Sequence, residues 1–142
     1  MQHVVKISEA ASLALHTMVL LAANTERTMS TKEVAKALTV SEAHLAKVLQ
    51  RLGRAGLVQS RRGPGGGFSL VRDASAITLM QVYQGVEGPI QKQHCLLGKP
   101  VCHNGCILGN LLDEVGDRVE QYFSQTRLSD LANTLVSEEN HG

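Results

Sequence analysis

"GLVQSRRGPGGGFSLVR", residues 56–72, places two short runs rich in strand-forming residues, Leu57 to Ser60 and Phe68 to Val71, on either side of a Gly/Pro turn. This spacing predicts a β-hairpin with arginines at its bend. The glycines do not make a nucleotide loop. No Lys-Ser/Thr pair follows them, and dinucleotide spacing counted from Gly63 would need a glycine at Phe68. The turn also joins strand to strand instead of opening a helix.

Upstream, the hairpin is preceded by two short helices. Ser30 with Glu33 three residues on reads as a capping box opening a helix to about Leu38. After "TVS", Ser41 caps a helix running to about Ala55, with Gly56 as its stop. Leu45, Val48, Leu49 and Leu52 share one apolar face at i, i+3, i+4, i+7, and His44, Lys47, Gln50, Arg51 and Arg54 fall largely on the other. A short capped helix, a tight turn and a second helix have helix-turn-helix spacing. A hairpin directly after it is a wing, whose Gly65 and Gly66 let the backbone approach a phosphate chain while Arg61 and Arg62 reach a groove.

Charge follows the same division. Residues 25–72 carry nine Lys/Arg against three Glu, a net of +6, whereas residues 107–142 carry two Arg against seven acids, a net of −5. The first segment attracts a polyanion and the second repels it.

Before this unit, Ser8 to Ala23 is almost wholly small or apolar, as in a helix buried on most sides. After it, Thr78 with Gln81 predicts another capping box, for a helix ending near Gly85 and Gly88-Pro89. Leu108, Leu112, Val115, Val119 and Tyr122 then recur at spacings of 4, 3, 4 and 3, a heptad seam that predicts a dimerisation helix over Ile107–Phe123. Aromatic residues make up only 3% of the chain, so the core must come from aliphatic side chains. No apolar run reaches the ~18 residues of a membrane span. The start "MQHVVKISEA" lacks a basic, cleavable leader pattern, so a cytoplasmic protein is expected.

All three cysteines fall in "HCLLGKPVCHNGC", His94 to Cys106. In a reducing compartment, such clustering points to metal binding or redox chemistry before structural disulfides. Soft thiolates select zinc, copper(I) or iron–sulfur clusters. The gaps, six residues then three, are wide for the short Cys pairs of a zinc site and suit a larger cluster. A metal-free thiol switch and a zinc site stay open beside it. No C-x-x-C, nucleotide fingerprint or paired-carboxylate constellation supports an enzyme.

Together these stretches resemble the winged-helix regulators typified by the iron–sulfur cluster regulator IscR and the nitric-oxide sensor NsrR. The likeness runs from "KISEAASLALHTMVLLA" through "MSTKEVAKALTVSEAHLAKVLQRLGRAGLVQSRRGPGGGFSLVR" to the cysteine loop and long helix. The resemblance implies a homodimer with crossing long helices, a recognition helix in the major groove and a wing in the minor groove of double-stranded DNA. Ser41, Ala43 and His44 match the start of the recognition helix, and Arg62 the wing arginine. Ala46 stands where IscR has a glutamate that helps distinguish operators, so operator preference does not carry over. Cys95, Cys102 and Cys106 match the three cluster cysteines, although relatives space theirs more evenly. The likeness implies a 2Fe-2S or 4Fe-4S cluster whose fourth ligand comes from the partner's first helix. There Glu9 and His16 are candidates, with Ser12 where NsrR-like chains carry an aspartate, and His94 and His103 are local alternatives.

The expected fold is mainly α with a small β-wing: a winged helix-turn-helix domain plus a long C-terminal dimerisation helix. Residues 1–88 form the DNA-binding domain, 89–106 the cysteine loop, and 107–142 the dimerisation helix and tail. The expected function is a DNA-binding regulator governed by the cluster.

Overall fold

The computed structural model describes residues 6–99 and 101–135. Helices α1 (Glu9–Ala22), α2 (Thr31–Leu38) and α3 (Glu42–Arg54) precede strands β1 (Val58–Arg61) and β2 (Gly67–Leu70). Helices α4 (Leu79–Glu87), α5 (Leu111–Gln125) and α6 (Leu128–Leu131) follow. This is the expected mainly α fold with a two-stranded wing. Residues 1–5, half of the stretch read for a leader, and 136–142 of the tail lie outside the described residues.

The locally encoded caps form as read. Ser30 Oγ accepts from Glu33 N at 3.1 Å while Glu33 Oε1 accepts from Ser30 N at 3.2 Å. Thr78 and Gln81 make the same reciprocal pair at 3.2 and 2.8 Å. Ser41 Oγ accepts from His44 N at 3.1 Å, so α3 starts at a fixed angle after the turn. Leu45, Val48, Leu49 and Leu52 are all buried, against α1, α2 and α4. Each contributes about 2 kcal/mol by leaving water, which fixes the opposite, polar face outward.

The wing differs from its sequence reading at both ends. The ladder pairs Val58 with Leu70 and closes at Arg61 with Gly67, so Arg61 ends a strand and only Arg62 lies in the turn. Gly67 can pair there because it has no side chain. A Cβ would stand 2.5 Å from the carbonyl carbon and oxygen of Met29. Met29 bonds Phe68 in both directions, at 3.0 and 2.7 Å, and Thr28 Oγ1 donates to the carbonyl of Gly65 at 2.7 Å. The wing is thereby pinned to the segment entering α2.

The last helices depart further. The expected Ile107–Phe123 helix begins at Leu111 because residues 107–110 form a turn in which Gly109 takes φ +61°, outside the helical region. Its heptad positions do not form one free stripe. Leu112 is buried, and beside the seam, outside the heptad positions, Phe123 stacks edge-on against Tyr83 of α4 at 5.9 Å. Leu111, Val115 and Tyr122 remain 49%, 37% and 46% exposed. One arc of α5 serves its own chain and an adjacent arc stays open. Beyond it, Leu128 of α6 is completely buried in the core, α6 packs on α1 and on the turn at residues 74–76, and the Leu128 N–H donates to Ile77. The segment read as a tail thus returns to the core of the first 88 residues.

Candidate nucleic-acid interface and cysteine loop

Packing the apolar face of α3 leaves Ser41, Ala43, His44, Lys47, Gln50, Arg51 and Arg54 exposed, and Ala46 with them. Arg61, Arg62 and Gly65 are exposed on the wing, whereas Gly66 is half-buried. Gly63, Pro64, Gly65 and Gly66 form a turn closed by Gly66 N donating to Gly63 O at 2.9 Å. Proline second and a glycine at φ +73° third are the marks of a type II turn, with the exposed Arg62 immediately before it. Between this turn and α2 lies a cleft of about 550 Å³, lined by Arg27, Thr28, Glu33, Arg61, Gly65 and Ser69 among others. Arg27 binds Glu33 at 2.6 Å, and this bond, with Ser30, holds the Glu33 carboxyl below its ordinary value. One helix face and one hairpin therefore present cations at separate points, as groove and backbone contacts require.

Thr28 was not legible as part of this surface. Its partner Gly65 is 37 residues away, and no local pattern announces such a contact.

Arg62→Ala is expected to weaken binding to a preferred duplex by about 1–3 kcal/mol if the guanidinium reads a base edge. Titrations at several salt concentrations separate this from a phosphate contact, which would cost all sequences alike and flatten the salt slope. No loss at all would remove the wing from the interface.

The cysteine loop folds between α4 and α5. Cys95, Cys102 and Cys106 all line one pocket of about 380 Å³, together with His103, Leu96, Leu97, Val101 and Ile107. Backbone N–H groups of Leu97 and Gly98, and also of Lys99, point at Cys95 and lower its thiol's pKa against a small effect of burial. Leu108 N donates to Cys106 Sγ at 3.4 Å. Cys102 is exposed. Among the described residues, no three His, Cys, Asp or Glu side chains converge closely enough to grip a metal ion. The donor chemistry suits a thiophilic group, and taking one up requires the loop to draw its sulfurs together.

The four candidate fourth ligands are scattered. His103 lines the cysteine pocket. His94 turns away, its Nδ1 bonded to Asp113 of α5. Glu9 and His16 are exposed on α1, where they line a separate groove with Ser12, Ser41 and His44. His16 Nδ1 is held 2.7 Å from the carbonyl of Ser12, one turn back.

A helix-turn-helix with a pinned wing and a cationic outer face defines a winged-helix DNA-binding protein. Residues 7–134 match the model of the Rrf2 family, iron-dependent transcriptional regulators, and the chain belongs to that family. A chain of Aquifex aeolicus described as an HTH-type transcriptional regulator is 31% identical over 130 residues, covering 89% of this chain and 90% of that one. IscR of Yersinia enterocolitica is 34% identical over 96 residues, which span 66% of this chain and 58% of IscR. Among solved structures, CymR, the global cysteine regulator of B. subtilis, has a TM-score of 0.74 at 30% identity, covering 91% of this chain and 97% of CymR. IscR of T. potens shares the fold, with a TM-score of 0.70 at 23% identity over 96% of this chain and 91% of that one. The family consists of transcriptional regulators, so this protein is a DNA-binding regulator. Among the described residues, no helix is long and apolar enough to cross a membrane.

Proposed function

We propose that this protein is a cytoplasmic, homodimeric, sequence-specific transcriptional regulator whose DNA affinity follows an iron–sulfur cluster held by Cys95, Cys102 and Cys106. The observation that carries the reading is that all three cysteines border one pocket immediately before α5. Such a group supplies redox sensitivity and lability toward oxidants or nitric oxide. The chain's own residues do the rest. Cys95 is held toward its thiolate, the form that ligates. Of the candidate fourth donors, His103 already borders the pocket, and Glu9 and His16 are those a second subunit would have to bring. Residues 1–88 read DNA, 89–106 carry the sensor, and 107–142 join the two subunits through the exposed Leu111, Val115 and Tyr122. A dimer spaces its two copies of α3 to meet successive major grooves, one helical turn apart.

The lowered thiol of Cys95 also favours a second reading, a metal-free switch in which an oxidant such as a peroxide takes two electrons and Cys95 and another loop cysteine, each losing its proton, form a disulfide. Purification without oxygen, followed by iron and sulfide analysis and a visible spectrum, distinguishes the two. Iron and sulfide together with a charge-transfer spectrum support the cluster. Stoichiometric zinc without iron would replace it with a zinc regulator, and a metal-free protein whose DNA binding follows a disulfide would replace it with the thiol switch.

A further inference from the structure

Two residues just ahead of Cys95, Lys92 and His94, tie the cysteine loop to α5. Lys92 Nζ lies 2.9 Å from Asp117 Oδ1 and 2.7 Å from Glu120 Oε2, and the Lys92 side chain is only 23% exposed. Its stem crosses α5 at the buried Gly116, where a Cβ would fall 2.9 Å from Lys92 Cδ. Two residues on, His94 bonds Asp113. Asp113, Asp117 and Glu120 stand at i, i+4 and i+7, one face of α5. The strap therefore runs antiparallel to the helix across an acidic stripe. Gln93 between them turns the other way, its Nε2 donating to the carbonyls of Cys95 at 2.9 Å and Leu96 at 3.4 Å.

We infer that residues 92–94 are the strap that transmits the state of the cysteine loop to α5, with Lys92 as its positioning residue. The inference rests on the reading that the loop's state controls DNA affinity. Its physical basis is the absence of slack. Three residues of chain span at most about 10 Å, and Gln93 holds the first loop peptides against the strap. Any force that draws Cys95 toward Cys102 and Cys106 therefore pulls on Lys92. Lys92 grips α5 by its middle, whereas Cys106 leads covalently into the start of α5 at Leu111. Its C-terminal end is fixed by Leu79 N donating to Thr126 O and by the buried Leu128, so a loop that contracts on both grips tilts the N-terminal part of α5 about that end. Without the strap, the N-terminal part is held only by the covalent lead from Cys106 and by its packing on α4. The acidic stripe, read from sequence as a repulsive tail charge, is here the strap's anchor.

The test uses the full chain, either reconstituted without oxygen with ferrous iron and sulfide or left iron-free, on a duplex enriched from a random-sequence pool. Wild type, Lys92→Met and Lys92→Arg are compared, together with a charge-swapped Lys92→Glu, Asp117→Lys, Glu120→Lys variant. Methionine keeps the stem over Gly116 and removes the charge. Lys92→Met should take up as much iron as wild type, while the ratio of its two dissociation constants falls toward one by about 3- to 30-fold. Lys92→Arg should retain the wild-type ratio, and the charge swap should recover part of it. If Lys92→Met keeps the full ratio, the strap is overturned while the sensor reading stands. Loss of iron uptake in Lys92→Met would also overturn it, since Lys92 would then build the site instead of transmitting from it. If wild type itself shows no difference between its two states, the sensor reading fails and the strap fails with it.

Discussion

Replacing Leu111 and Val115 together by aspartate is expected to turn a dimer into monomers in analytical sedimentation, with the helical circular dichroism of the subunit preserved. Both residues are exposed in the single chain, so the substitution leaves its core untouched. Leu112, one position away, is buried, and changing it would damage the fold instead of the interface. Each aspartate would bring a charge into an apolar contact with no partner for it, a cost of several kcal/mol for the pair. DNA binding should fall with dimerisation. A dimer holds its second recognition helix at high effective concentration over the second half-site, and losing this lowers affinity by about 10²- to 10⁴-fold. A dimer unchanged by both aspartates would reject this face of α5 as the subunit contact.

The second large effect concerns the loop. Cys95→Ala, Cys102→Ala and Cys106→Ala are each expected to abolish iron retention in anaerobically prepared protein. Two thiolates and one weaker donor cannot hold a group that ordinarily takes four protein ligands. The variants should remain folded, because none of the three cysteines belongs to the buried core. His103→Ala, by contrast, should shift the visible spectrum only if His103 supplies the fourth donor. An unchanged spectrum there, with a change on His16→Ala or Glu9→Ala, would place that donor on α1. Full iron retention in any single cysteine variant would break the three-ligand assignment.

Local features were legible in the sequence because the residues that make them are neighbours. Ser30 with Glu33 and Thr78 with Gln81 satisfy each other within one turn, and the stripe Leu45, Val48, Leu49, Leu52 shows its burial by spacing alone. The hairpin needed only its turn residues. What the sequence did not disclose depends on contacts across long separations. The partner of Thr28 is Gly65, that of Lys92 is Asp117, and Leu128 fills a core built mostly from residues before 88. The heptad spacing of α5 was real but blended two surfaces. Periodicity reports that an arc of helix is apolar, and it cannot separate a position buried in its own chain, such as Leu112, from ones left exposed, such as Val115 and Tyr122. The start of α5 was misplaced for a simpler reason. Gly109 takes a positive φ, which makes it part of the preceding turn, and nothing in the heptad spacing marks that.

Of the candidate site, composition located the three cysteines, and the structure adds that they border one pocket while His94 is committed to Asp113. The exposed polar residues of α3, proposed to face DNA, were legible as the complement of its core stripe. Arg61 is the one whose place changed, from turn to strand end.

In the proposed function, the occupancy of the cysteine loop sets DNA affinity. The most direct measurement is the dissociation constant of one full-length preparation for one enriched duplex, at a single salt concentration, before and after anaerobic removal of its iron. Coupling between two sites in one protein is commonly 1–3 kcal/mol, so the two constants are expected to differ by about 5- to 150-fold. Equal constants, with iron shown to be present in one sample and absent from the other, would contradict the account.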